Sequence, residues 1–381
     1  MKFPCSLCCS LWFLLLIGVG SLLLLACLQN LTEMLLQQTP GANVLVAPRW
    51  PLDKEPVTDS PILFMIAHPL VGSSRLFTKR QRKLLLRSSL APGTEVERRV
   101  EQRVELRRTQ ATRLHLLREV CAKYQAGSSE QPLSQQQVSR VYVEDRFGLL
   151  YCEVPKAGCS NWKRVLMVLG GSATSTQDIP HDAAHYTNHL RRLDSYDRAG
   201  ITKRLRSYSK VLFVREPFER LVSAFRDKFE SPNSYYHPVF GRPIISKYRV
   251  NATRRALRTG TGVTFREFVQ YLLDVHRPVG MDIHWQPVSQ LCNPCLFRYN
   301  FIGKFENLEE EANFLLQRIR APTNLTFPRF KDRNPLAERT SSSITQMYFS
   351  QLNSTERQKA FDFYYMDYQM FNYPKPFKEL H

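Results

Sequence analysis

From about Val141 onward, short β-prone runs alternate with helical patterns. Arg140 to Glu144 and Leu149 to Val154 read as strands, followed by a helix from Asn161 to Leu169. Lys210 to Val214 reads as another strand, followed by a helix from Pro217 to Phe229 and one around Phe265 to Asp274. Strand, turn and helix in repetition predict an α/β fold: a central parallel sheet flanked by crossover helices. Ligands of such sheets bind beyond the carboxyl ends of the strands, so function is sought just after Val154 and Val214. The chain has 381 residues, 43% apolar and 23% charged, enough for a sizeable core. These proportions exclude collagen-like, wholly disordered and multispanning membrane chains. Lys plus Arg number 53 against 34 Asp plus Glu, a net charge of +19. That balance favours anionic partners: phosphate, sulfate, nucleic acid or an acidic membrane surface.

The N-terminus suggests a compartment. Leu11 to Leu28 contains no charge and, with Cys5 to Ser10, reaches the roughly 20 residues that cross a bilayer as a helix. No small-x-small cleavage site follows cleanly, so the run reads as a signal anchor rather than a cleaved signal peptide. Only Lys2 precedes it, so charge alone sets orientation weakly. Sequons at Asn30, Asn251, Asn324 and Asn353, all downstream, point to a luminal body. The expected organisation is a cytoplasmic tail at 1–10, an anchor at 11–28, a luminal stem at 29–135 and a catalytic domain at 136–381. Cys5, Cys8 and Cys9 then lie near the cytoplasmic end, where acylation is chemically available. Within the stem, Val96, Val100, Val104, Ala111, Leu114 and Leu117 recur at helical spacing in an Arg-rich segment, read as a solvated helix on a spacer.

Five further cysteines, Cys121, Cys152, Cys159, Cys292 and Cys295, would occupy an oxidising space, and their odd number leaves at least one without an intrachain partner. Cys292 and Cys295 form a C-x-x-C, but no second such pair or spaced His pair completes a zinc site. A local or longer-range disulfide is the expectation.

Two strand-to-helix turns look suited to an anion. The first runs from Leu149–Val154 through Pro155, Lys156, Ala157, Gly158, Cys159, Ser160 and Asn161 into a helix. A helix start offers unpaired N–H groups and a positive dipole end. Gly158 permits close backbone approach, Ser160 brings a hydroxyl and Lys156 a mobile cation. The Lys precedes the glycine, which is not the order of a Walker A loop. The second turn follows Val214 as Arg215, Glu216, Pro217, Phe218, Glu219, Arg220, Leu221, Val222 and Ser223. Pro217 suits a first helical turn, and Arg215 can bind phosphate bidentately.

The strings PKAGCSNWKR (155–164) and VREPFERLVSAF (214–225) closely resemble the two cofactor motifs of Golgi carbohydrate sulfotransferases, in the branch holding the HNK-1, chondroitin-4 and GalNAc-4 enzymes. The resemblance extends from about Val141 to the C-terminus. Stretches at 227–240, 277–285 and 361–368 look most like the enzymes that sulfate terminal GalNAc on N-glycans. It implies a P-loop-like sulfotransferase fold and a 3′-phosphoadenosine-5′-phosphosulfate co-substrate. The first motif, 155–161, would hold the 5′-phosphosulfate, and the second, 215–223, the 3′-phosphate. It further implies transfer to the 4-hydroxyl of a GalNAc-containing glycan by a type II Golgi membrane protein with a luminal catalytic domain.

Sulfuryl transfer needs in-line placement and stabilisation of the leaving oxygen. Lys156 is the candidate for that role, helped by the helix start and Ser160. The group carries less charge than a phosphoryl group, so no metal is expected. The resemblance implies that a base for the sugar hydroxyl lies between the two motifs, where the chain offers His181, His185 and His189. His185 is chosen, His284 is second, and Asp182 is the carboxylate fallback. Trp285 is read as an apolar platform for a sugar ring. Chondroitin or dermatan is the alternative acceptor. A metal-independent glycosyltransferase is a rival from another class, although no two Asp are spaced as D-x-D. A non-enzymatic acidic-glycan binder would explain the charge but not two anion-ready turns. Nucleic acid is not an expected partner in a lumen.

Overall fold

The structure is a computed structural model that describes residues 95–124, 133–329 and 338–381. The expected tail and anchor (1–28) and Asn30 lie outside these residues, as does much of the expected stem. No described helix is long and apolar enough to cross a membrane.

Four short strands form one sheet: β1 (Val141–Glu144), β2 (Leu149–Cys152), β3 (Ser209–Val214) and β4 (Phe301–Lys304), in that spatial order. β2, β3 and β4 are parallel, as expected, but β1 runs antiparallel to β2. The sheet is therefore mixed. Four residues separate β1 from β2, which closes a hairpin and cannot hold a crossover helix. The described helices of eight or more residues are α1 (Glu95–Tyr124), α2 (Cys159–Leu169), α3 (Arg198–Ser207), α4 (Pro217–Phe225), α5 (Phe265–Leu273), α6 (Leu308–Arg318), α7 (Ser342–Phe349) and α8 (Ser354–Met370).

Alternation along each strand feeds two cores. Leu149, Tyr151, Val211, Phe213 and Phe301 point to one face, where Trp162, Val165 and Leu166 of α2 meet Leu308 and Leu315 of α6. Leu150, Cys152, Leu212, Val214 and Ile302 point to the other, toward Val288, Phe297 and Leu117 and Val120 of α1. A third cluster joins α4, α5, α7 and α8 around Phe218, Phe268, Trp285 and Tyr364. Trp285 is fully buried there, and its indole N–H donates to Tyr271 Oη at 3.3 Å. That corrects its reading as a sugar platform: an aromatic-rich cluster absorbs the ring.

The helix expected as a solvated spacer also differs. Val100 and Val104 are exposed, but the C-terminal half of α1 packs on the sheet. Gln110 exchanges hydrogen bonds with the Ile302 backbone, and Arg113 forms a two-pronged ion pair with Glu311 at 2.6 and 2.9 Å. A Cys121–Cys295 disulfide fastens its end, so the packed body reaches N-terminally past residue 136. Cys152 pairs with Cys292, and Cys159 stays a buried free thiol. Both cysteines of the C-x-x-C are thus bound to distant partners.

Candidate active site

β2 and β3 are adjacent and parallel, so the turns that follow them emerge side by side. In the first, Lys156 and Gly158 both take positive φ, 68° and 89°. A Cβ on Gly158 would lie 2.6 Å from Leu308 Cδ2, so glycine is required both for this left-handed cap and for its closeness to α6. Cys159, Ser160 and Asn161 then open α2 and present the unpaired N–H groups of a helix start.

In the second turn Glu216 caps α4, accepting the Glu219 N–H at 2.6 Å, with Pro217 in the first turn. Burial raises the Glu216 carboxyl to about 7, opposed by the hydroxyl that Tyr368 donates to it. Arg215 is buried and adjoins the first turn. Its Nη1 reaches the Lys156 carbonyl at 3.4 Å, and its Nη2 reaches the Thr340 carbonyl at 2.8 Å and Glu219 at 3.4 Å. Its Nε is buried without a hydrogen-bond partner. A free guanidinium fork for phosphate is therefore not what Arg215 offers. An orphaned buried N–H beside an open helix start nevertheless suits an anion.

Several motif side chains serve the fold. Pro155, Ala157, Pro217, Phe218, Leu221 and Val222 are buried. Asn161 donates to the Pro328 carbonyl at 2.9 Å and accepts from Arg164 at 3.0 Å. Arg220, only 1% exposed, donates to three carbonyls: Pro155 at 3.0 Å, Gln286 at 2.8 Å and Ile283 at 2.8 Å. It thereby pins the first turn to the segment that carries His284. Ser160, Lys156, Glu219 and Ser223 keep partial exposure.

Around Lys156 the fold assembles groups that the sequence reading did not select. α4 runs into a π-helical turn, Arg226–Glu230, where the expectation was an unbroken α-helix to Phe229. This turn carries Asp227 and Lys228. Lys156 Nζ lies 3.3 Å from Asp227 Oδ2 and Lys228 Nζ 3.0 Å from the same oxygen. Burial draws the Lys156 ammonium below its ordinary pKa, with Asp227 opposing. Burial alone would raise Asp227, but Lys156 and Lys228 hold it below the usual carboxylate range. The sequence signal was proximity: both residues lie within a turn or so of the second motif.

His185 ends the short helix His181–His185. Its Nε2 lies 2.7 Å from Ser160 Oγ and its Nδ1 3.5 Å from Lys163 Nζ. Burial, aided by Lys163, pushes its pKa down to about 4. Lys163 is itself buried and paired with Glu153 at 2.6 Å. His181 and His189 are exposed, and Asp182 is exposed beside His181. His284 Nδ1 lies 2.6 Å from Asp282 Oδ1 and 2.9 Å from Tyr236 Oη. Burial lowers its pKa, partly offset by Asp282, and Lys228 and Lys156 lower it further. His284 thus faces Lys156 and Lys228, while His185 faces Ser160 at the start of α2. Among the described residues no His, Cys, Asp and Glu cluster could hold a metal.

Asn251, Asn324 and Asn353 are all exposed, and Asn353 also caps α8 through Glu356.

A helix start, two lysines and two histidines gathered where adjacent parallel strands end are an arrangement suited to group transfer from an anionic donor. The pattern of the sulfotransferase family matches residues 139–374, and the chain belongs to that family. It is 54% identical to carbohydrate sulfotransferase 8 of Mus musculus and 51% identical to its Homo sapiens counterpart, with 98% of each chain covered. It is 60% identical to carbohydrate sulfotransferase 9 of Homo sapiens over 71% of this chain and 61% of that one. No solved structure matches it. The chain is thus a sulfotransferase enzyme, and its family relationship agrees with the resemblance read from the two motifs.

Proposed function

We propose that the enzyme transfers a sulfuryl group from 3′-phosphoadenosine-5′-phosphosulfate to the 4-hydroxyl of GalNAc, chiefly terminal β-linked GalNAc on N-glycans of glycoproteins. It acts on the luminal side of the Golgi membrane, held there as a single-pass type II protein by residues 11–28. One observation carries the reading: Lys156, the start of α2 and two half-buried histidines converge where β2 and β3 end. The turn 155–161 would hold the phosphosulfate end of the nucleotide and the turn after β3 its 3′-phosphate, with Arg215 Nε and Ser223 as available polar groups. The nucleotide supplies an activated sulfate. Lys156 faces the charge that gathers on the leaving oxygen, and the α2 N–H groups share it. Loss of the proton from the sugar hydroxyl falls to one of the histidines.

The test is twofold. Adenosine 3′,5′-bisphosphate should raise the melting temperature while sugar-nucleotide diphosphates do not. Labelled sulfate should pass to terminal GalNAc and be recovered at its 4-position within a panel of defined glycans. Preference for a sugar nucleotide would overturn the reading, and label confined to chondroitin would replace the acceptor.

A further inference from the structure

The two histidines differ in what fixes them. His185 Nε2 is engaged with Ser160 Oγ and its Nδ1 faces a lysine, so neither nitrogen is held beside a carboxylate. His284 is held by an anion. Its Nδ1 meets Asp282 Oδ1 at 2.6 Å, and its own backbone N–H donates to the same oxygen at 2.9 Å. Tyr236 Oη lies 3.2 Å from Asp282 Oδ2, so the phenol donates to the other side of the carboxylate. Burial raises the Tyr236 hydroxyl far above its ordinary pKa, which keeps it a donor. Nε2 of His284 carries no hydrogen bond among the described residues, and the side chain is 20% exposed. Arg220 fixes the flanking carbonyls of Ile283 and Gln286, and Tyr364 donates to the Trp285 carbonyl.

We infer that Asp282, seconded by Tyr236, is a positioning residue that fixes His284 as the Nδ1–H tautomer, so that His284 Nε2 is the base for the acceptor hydroxyl. The inference rests on the proposed sulfuryl transfer. Nε2 takes the hydroxyl proton as the sugar oxygen bonds to sulfur. The sulfur–oxygen bond to the nucleotide breaks, and its electron pair leaves on the phosphate oxygen, which Lys156 faces. His185 instead orients Ser160 at the helix start. The groups acting on His284 are Asp282 from its own turn, Tyr236 from the segment after the π-helical turn, Lys228 from that turn, and Lys156, with Asp227 between the lysines.

The test uses the full-length enzyme. His284→Gln should lower turnover by ~100-fold or more while adenosine 3′,5′-bisphosphate still stabilises the protein. His185→Gln should cost less. Asp282→Asn removes the charge that raises the imidazole pKa. It should therefore lower turnover ~10-fold or more and move the acidic limb of the pH profile to lower pH. Histidine ring nitrogen resonances should show loss of the Nδ1–H form in Asp282→Asn and its retention in Asp282→Glu. An unmoved acidic limb, an unchanged tautomer, or a larger loss in His185→Gln than in His284→Gln overturns the inference. If the nucleotide fails to stabilise even the unaltered enzyme, it is the proposed reaction that fails.

Discussion

At the scale of single residues, the site depends on two backbone positions with positive φ and on the Lys156 cation held by Asp227. Lys156→Ala should leave a folded protein whose turnover falls at least ~100-fold, on the order of 3 kcal/mol of barrier. Single-turnover sulfate transfer measures this, and near-normal turnover would remove Lys156 from its role. Gly158→Ala tests the geometry instead. A Cβ there must adopt a φ of 89° and meet Leu308. We expect about 1–2 kcal/mol of lost stability by denaturant titration, together with weaker nucleotide binding. Lys156 and Gly158 were legible in the sequence because Pro, Lys and Gly before a helical pattern carry local meaning. Asp282 was not, because its role depends on how the turn holds it against His284 Nδ1 and on Tyr236, 46 residues away, neither of which spacing reveals.

At the scale of elements, α4 does more than carry a motif. Seven of its nine residues were selected as ligand-binding from the sequence as part of 215–223, yet its apolar face is core and its one buried cation serves carbonyls. A pattern of residue types marks that a segment matters without saying which face meets solvent. Arg220→Leu keeps the bulk but leaves three carbonyls without their donor. It should cost on the order of 3 kcal/mol. It should also weaken nucleotide binding, because the Pro155 turn and the His284 turn lose their common tie. Urea unfolding and nucleotide titration read the two effects separately. A stability loss with unaltered nucleotide affinity would show that the tie supports the fold alone. The parallel core of the sheet was readable from alternation, whereas the antiparallel edge strand was hidden by treating two runs four residues apart as successive crossover strands.

At the scale of the whole molecule, two long-range disulfides link regions far apart in the chain. Their partners were not legible, since five cysteines allow several pairings and only the fold selects among them. The Cys121–Cys295 bond spans 174 residues and closes α1 onto the body, beside the Arg113–Glu311 ion pair. Replacing both cysteines by Ser should cost about 2–5 kcal/mol in denaturant unfolding. An unchanged midpoint would mean that side-chain packing alone retains α1. The same helix shows why a spacer was expected: its N-terminal valines, Val100 and Val104, continue the periodicity into solvent, while its attachment joins Leu117 and Val120 in the core to Gln110 and Arg113, polar residues with no apolar signature.

The widened turn at Arg226–Glu230 has a consequence for how this part of the chain can vary. An α-helix advances ~100° per residue, so deleting one residue between Arg220 and Lys228 would act like a screw turned by more than a quarter revolution. Arg220 would keep its grip on three carbonyls while Asp227 and Lys228 swung away from Lys156. Chemistry here is therefore metered by chain length as strictly as by side-chain identity.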